Sequence, residues 1–283
     1  MPIHNFSRRS FLQAATAAVS VTHATSAPHR IPVGLELYSV RDELKQDLKG
    51  TLRGVAKMGY EGVEFYAPYF DWKPEYAKDV RKLLDELGMR CFSTHNDAKS
   101  FTPDSLPRAI ELNQILGSKH IVMASAGKTG NLEGWKSVAK TLNAAAAKLK
   151  PLGLLTGFHN HHVEFITIEG RRPIDVLSEN TQKAVTLQLD VGNALAGGAD
   201  PVAFIQANPG RIRSMHCKDW SSDPSKEYKV LLGEGVAPWK EIFRVVQKTG
   251  GIEYYLVEQE GSSLSPMETA KRCLSAFRKL HAS

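Results

Sequence analysis

Short apolar runs alternate along this chain with longer stretches in which apolar residues recur every third or fourth position, and the alternation repeats eight times. Residues 33–38 predict a strand, and residues 43–58 predict a helix because Leu44, Leu48, Leu52 and Val55 fall on one face at the helical period. Gly59 closes that helix, and residues 60–65 read as the second strand. The phrase recurs as a helix over 74–87 with Gly88 and a strand over 89–94, then a helix over 104–116 with Gly117 and a strand over 119–123. The later half predicts strands at 154–159, 185–190, 212–216 and 253–258. Its helices are placed at 135–150, 175–180, 201–208, 238–248 and 266–280.

Strands that alternate with helices at this spacing imply a parallel sheet, because a parallel connection needs a crossover long enough to hold a helix. Eight repeats favour a closed ring, which leaves no edge strand, so the expected fold is α/β, a (β/α)8 TIM barrel over residues 28–283. A chain of 283 residues with 42% hydrophobic content suits one such domain. Residues 1–27 are read differently. Ser7-Arg8-Arg9-Ser10-Phe11-Leu12, then an Ala-rich apolar stretch from Ala14 to Val21 and small residues near Ala27, predict a twin-arginine export signal and a periplasmic mature protein. That apolar stretch is too short to span a bilayer, so no stable membrane anchor is expected after the signal is removed.

The formal charge is +6, and without Arg8 and Arg9 the Lys and Arg total falls to 34 against 30 acids. Basic residues form no long run and are not interleaved with aromatics, so a nucleic-acid partner is not expected. Gly-Gly-Ala at 197–199 and Gly233-Glu234-Gly235 read as turns, which leaves a nucleotide cofactor without a seat. Cys91, Cys217 and Cys273 are odd in number and unpaired in spacing, so they predict buried thiols and no disulfide framework. A nucleophilic Cys217 beside His216 is the sharper alternative.

The carboxyl ends of barrel strands converge on one rim, and ionisable residues accumulate there: Glu64, His95, His159, His161, Asp190, His216 and Glu258. Buried acids are rare unless paired or metal-bound, so Glu164, Asp190, His216 and Glu258 are read as the ligands of one divalent metal. Carboxylates with an imidazole and no thiolate suit Mn²⁺ first, with Mg²⁺, Co²⁺ or Zn²⁺ as alternatives. Such a metal polarises a bound carbonyl and acidifies its neighbouring carbon. His161 and His95 are candidates to move protons, and Lys218 to steady an oxyanion. Glu64, His159, Asn193 and Trp220 are candidate substrate-binding residues. Trp72, Tyr66, Phe70 and Trp220 are placed where sugars could stack, or where they could simply pack on the barrel.

Several phrases together resemble a known family: Leu37-Tyr38-Ser39-Val40-Arg41, Gly59-Tyr60-Glu61-Gly62-Val63-Glu64, His159-Asn160-His161, Leu189-Asp190-Val191-Gly192-Asn193, His216-Cys217-Lys218-Asp219 and Val257-Glu258-Gln259. In order and strand-end placement they resemble the sugar phosphate isomerase/epimerase family of xylose isomerase-like barrels. The resemblance implies a metal held by an acid from strand five, an Asp from strand six, a His from strand seven and a Glu from strand eight. Asp190, His216 and Glu258 match the last three. At the end of strand five, where many members carry Glu, this chain has His159; either Glu164 reaches back to the metal or His159 itself ligates, and Glu164 is preferred because a third carboxylate better neutralises a hard cation. Resemblance to the family's epimerases also implies that Glu258 doubles as acid/base, in catalysis shared with Glu164. The expected activity is a metal-dependent isomerase or epimerase on a non-phosphorylated sugar, since no basic cluster awaits a phosphate. The alternatives are a lyase or dehydratase on a keto-sugar, inosose or 3-keto-glycoside, and a periplasmic sugar-binding protein without turnover. The expected partner is a small carbohydrate, and an oligomer is possible.

Overall fold

A strand covered by helices outside and by side chains inside the ring has no face for water, and the strands of this chain are buried nearly end to end. In the computed structural model, which describes Met1 and residues 30–249 and 251–282, they are β1 (Val33–Glu36), β2 (Gly62–Phe65), β3 (Arg90–Asp97), β4 (His120–Ser125), β5 (Leu155–His159), β6 (Thr186–Asp190), β7 (Ser214–Cys217) and β8 (Tyr254–Val257). All neighbours are parallel, and β8 pairs back onto β1, closing the barrel in chain order. The export signal expected over 1–27 lies outside the described residues, Met1 excepted.

The helices are α1 (Arg41–Gln46), α2 (Leu48–Met58), α3 (Pro74–Glu86), α4 (Leu106–Leu116), α5 (Leu132–Leu149), α6 (Pro173–Asn180), α7 (Val191–Ala196), α8 (Pro201–Ala207), α9 (Trp239–Thr249) and α10 (Pro266–His281). The helix expected over 43–58 is two helices. Asp47 interrupts it and accepts a hydrogen bond from the Gly50 N–H at 2.9 Å, which caps α2. Gly117 closes α4 with φ +72°, a left-handed turn that glycine adopts without a Cβ clash. Apolar side chains between sheet and helices form one large core, whereas Phe92, Tyr254 and Leu256 form a separate cluster. Gly34 and Gly62 make room for the Phe92 ring: a Cβ at either would come within 2.8 Å and 2.6 Å of it. This aromatic plug fills the barrel near the amino ends of the strands and leaves the carboxyl ends for polar residues.

Candidate metal centre

Asp190 is the last residue of β6 and also the N-cap of α7, so the chain passes from strand to helix with no loop between. Its Oδ1 accepts the Asn193 N–H at 2.8 Å and its Oδ2 accepts the Asn193 side-chain amide at 2.8 Å. Asn160, just past β5, completes the clip by accepting from the Asp190 N–H at 3.0 Å and donating to the Asp190 carbonyl at 3.2 Å. Gly192 lets the start of α7 lie against β7, since a Cβ there would meet the Lys218 carbonyl oxygen at 2.9 Å. The Leu-Asp-Val-Gly-Asn phrase is thus a device for fixing one carboxylate.

Around Asp190 stand His159, His216 and Glu258, and one ligand atom from each of the four lies within 4.8 Å of the others. All four are 0–5% exposed. His159 Nδ1 is buried with no hydrogen-bond partner, which is the condition of a ligand atom facing its ion. Two imidazoles and two carboxylates without a thiolate make a donor set that fits a divalent cation. His216 is gripped from both sides: Nδ1 lies 2.5 Å from Glu258 Oε2, and Nε2 lies 2.8 Å from Glu64 Oε1. An imidazole that ligates through one nitrogen and hands the other to a carboxylate is the usual way a metal-bound histidine is oriented.

Charge explains the rest of the arrangement. Burial would lower the His216 pKa, but the Glu64 and Glu258 carboxylates outweigh it and push the group up to about 10 when no cation is bound. Burial raises Asp190 to about 6 against the pull of Lys218. Lys218, itself 1% exposed, places its ammonium 3.1 Å from Asp190 Oδ2, 3.1 Å from Glu258 Oε1 and 2.5 Å from Glu260 Oε1. Burial alone would lower its pKa, yet those three carboxylates raise it well above the usual lysine value. His159 is held well below the usual histidine range by burial and then by its neighbours His216 and His95, so it presents a neutral nitrogen.

The expected residues are distributed as follows. Asp190, His216 and Glu258 converge, and the fourth partner is His159 in place of Glu164. Residues 162–165 wind into a 3-10 turn, and Glu164 folds back so that its Oε2 accepts the His161 N–H at 2.6 Å. Of the two candidates for the fourth position, His159 stands in the group, while the Glu164 carboxylate serves as a cap and is gathered into no metal group among the described residues. Glu64, expected to touch substrate, has both oxygens engaged inside the barrel, Oε1 by His216 and by His95 at 2.9 Å, Oε2 by Ser93 and by Gln188 at 2.9 Å. Asn193 spends its amide on Asp190 and accepts the Tyr228 O–H at 2.9 Å. His161 lies exposed on the rim with its ring 5.1 Å from His159, and Trp220 is half-buried in the loop after β7.

Trp72 and Phe70 pack on the barrel: Trp72 meets the edges of Phe65, Tyr69 and Tyr76, and Phe70 lies under Arg108. Cys217 is fully buried and its thiol is raised well above the usual value by burial, so it is no nucleophile. Four contributors escaped the sequence reading. Gln188 bridges Glu64 and His95, and its place two residues before Asp190 on one strand face was a usable signal. Glu36 ends β1 opposite Glu64 in the strand register, which the same strand-end rule would have found. Asn160 and Tyr228 offered no signal, since their roles depend on neighbours distant in sequence. Tyr228 lies in the loop after β7 with its ring 5.4 Å from the Lys218 ammonium.

Residues 52–280 match the model of the xylose isomerase-like TIM barrel family. The chain is 25% identical over 262 residues to the rhizopine catabolism protein MocC of Rhizobium meliloti, covering 79% of this chain and 78% of that one. It is 27% identical over 255 residues to an inosose dehydratase of Clostridium perfringens strain 13, covering 76% and 84%. Its structure is similar to that of a sugar phosphate isomerase/epimerase from Parabacteroides distasonis, with TM-score 0.74 and 26% identity over 92% of this chain and 98% of the other.

Proposed function

The chain belongs to the xylose isomerase-like TIM barrel family, a family of sugar-modifying enzymes, and from that footing we propose that it is a metal-dependent lyase that eliminates water or an alcohol from a keto-sugar or inosose. The observation that carries this reading is His159 at the end of β5. Epimerisation needs two proton carriers on opposite faces of one carbon, one to take the proton and one to return it. Here the Lys218 ammonium backs both Glu258 and Asp190, Asp190 has both oxygens taken by Asn193, and the β5 position holds a buried imidazole whose pKa is held well below its usual range and which has no proton to return. Elimination asks less: one base for the carbon acid and one donor for the leaving oxygen. The inosose dehydratases among the relatives support the same choice.

A divalent cation in the His159–Asp190–His216–Glu258 group would polarise a ketone oxygen and acidify the adjacent carbon. The two imidazoles favour Mn²⁺, Co²⁺ or Zn²⁺ over Mg²⁺. Glu258 takes the proton from the carbon next to the ketone, a carbon–carbon double bond forms, and the neighbouring carbon–oxygen bond breaks. The leaving oxygen takes up a proton from solvent, and His161 on the rim, held neutral because burial and then Lys218 lower its pKa to about 4, can orient that oxygen through a hydrogen bond. Lys218 stands beside both carboxylates and steadies the negative charge that builds on the ketone oxygen.

Metal-loaded protein incubated with an inosose and with a panel of keto-sugars and keto-glycosides should yield a conjugated enone, seen by ultraviolet absorption and as a mass loss of water or alcohol. Mass-neutral conversion with solvent deuterium entering the product would instead establish the isomerase or epimerase reading, which the Parabacteroides relative favours. We further propose export through the Arg8-Arg9 motif; replacing both with Lys should retain the protein in the cytoplasm, and unchanged export would refute the assignment.

A further inference from the structure

We propose that Glu36, Glu64 and His95 hold a second divalent cation beside the one assigned to His159, Asp190, His216 and Glu258. One ligand atom from each of the three lies within 4.8 Å of the others, and all belong to strands at the same end of the barrel: β1, β2 and β3. The Glu36 side chain is 1% exposed. Its Oε1 accepts the Tyr38 N–H at 3.3 Å, while Oε2 is buried with no N–H donor, the Glu64 carboxyl being the acid beside Glu36. A carboxylate oxygen so placed lacks the stabilisation that buried polar atoms normally obtain, and a cation supplies it.

Spacing and charge agree with this assignment. His95 Nε2 lies 2.7 Å from Gln188 Oε1 and 2.9 Å from Glu64 Oε1; a cation would take that nitrogen from these two oxygens, and two ligands at right angles, each about 2.1 Å from a shared ion, stand about 3 Å apart. The same Glu64 oxygen lies 2.8 Å from His216 Nε2, so the two groups touch through the His216 imidazole. Glu36, Glu64, Asp190 and Glu258 are four buried carboxylates, and Lys218 is the buried ammonium among them. With Glu36 ionised, one divalent ion leaves this cluster negative and a second reverses that; burial and the Glu64 carboxylate raise the Glu36 pKa, so a proton is the second ion's competitor there. With three protein ligands the second ion keeps open positions, and the His95 side chain, 12% exposed, marks the side from which a substrate hydroxyl could reach it.

The inference goes beyond the proposed lyase activity and is tested by stoichiometry, which does not depend on turnover. Wild-type protein loaded with Mn²⁺, desalted and measured by elemental analysis should hold two equivalents, and Glu36→Gln should hold one. One equivalent in the wild type, as expected if Glu36 carries a proton in place of a cation, overturns the second site and leaves the lyase reading intact. Two equivalents in Glu36→Gln overturn it as well, and none in either protein removes both readings. Anomalous diffraction from wild-type crystals at the manganese edge needs no variant. It should show a second peak within bonding reach of Glu36 Oε2 and His95 Nε2, and a single peak at the first group sinks the proposal.

Discussion

His159 and Glu164 are five residues apart, and the chain puts them to opposite uses. His159 ends a strand, keeps a buried, unpartnered Nδ1 and stands within ligand spacing of Asp190, His216 and Glu258 as a group, whereas Glu164 bends back onto the His161 N–H. Replacing His159 with Ala should weaken Mn²⁺ binding by more than about 100-fold, while Glu164→Gln should leave it unchanged, because a carboxamide oxygen can still cap the turn. Equal losses in competition titrations with a metal-sensitive dye would show that Glu164 reaches the ion after all. The same variant carries a pH signature. Burial raises Glu164 from 4.5 to about 7, so the folded protein holds that proton more tightly than the unfolded chain. Its favourable contribution is complete below pH 4.5 and is lost as pH rises through 7. Gln does not titrate, so Glu164→Gln should gain on the wild type by about 2–3 kcal/mol between those limits and no further above them. A difference in urea-unfolding free energy that stays flat across that window would contradict the assignment. At this scale three members of the group were legible because they end apolar runs. The choice between His159 and Glu164 was not, because a 3-10 turn, which has no periodic signature, turns the Glu164 carboxylate back onto the His161 N–H.

Elements deliver these residues, and the loop after β7 shows how. Asp219 is fully buried, and its carboxylate accepts from the Trp220 N–H at 2.9 Å, the Gly233 N–H at 2.8 Å, the Ala237 N–H at 3.3 Å and the Trp239 indole N–H at 2.8 Å. One side chain thus ties both ends of the segment 220–238 to the strand that carries His216. Between those ends Tyr228 donates to Asn193, and its carbonyl accepts from the Gln259 side chain, so the loop is latched to α7 and to the chain after β8. Asp219→Asn puts a donor where acceptors are required. It should cost about 2–4 kcal/mol in urea unfolding and speed amide exchange at Gly233 and Ala237 more than in the barrel strands. Slow exchange at those two amides in a folded variant would show that other contacts hold the loop. The helix–Gly–strand rhythm made the strands legible to within a few residues. It missed α7, because six residues that follow a strand directly are too few for a helical period to emerge, and it merged α1 with α2, because Asp47 interrupts the helix without Gly or Pro.

At the scale of the whole molecule, closure of the ring creates the site and also its main electrostatic liability. The β8–β1 pairing brings Glu258 and Glu36 into the same enclosure as Glu64 and Asp190, and like charges in a space closed to water repel strongly unless a cation intervenes. The barrel was legible from eightfold alternation, but this crowding was not, because it depends on how far each side chain leans into the ring. Its consequence is a fold whose stability is linked to metal. A ligand held at 100 times its Kd adds about 2.7 kcal/mol to the folded state, and in a chain of this size each kcal/mol moves Tm by about 2–4 °C. Chelation should therefore lower Tm by roughly 5–10 °C, measured by scanning calorimetry, and restored Mn²⁺ should recover it. Asp190→Asn removes a charged ligand while keeping the shape that α7 needs. That variant should melt at nearly the same temperature with and without chelator, and a wild-type Tm indifferent to metal would mean that Lys218 and bound protons already neutralise the enclosure.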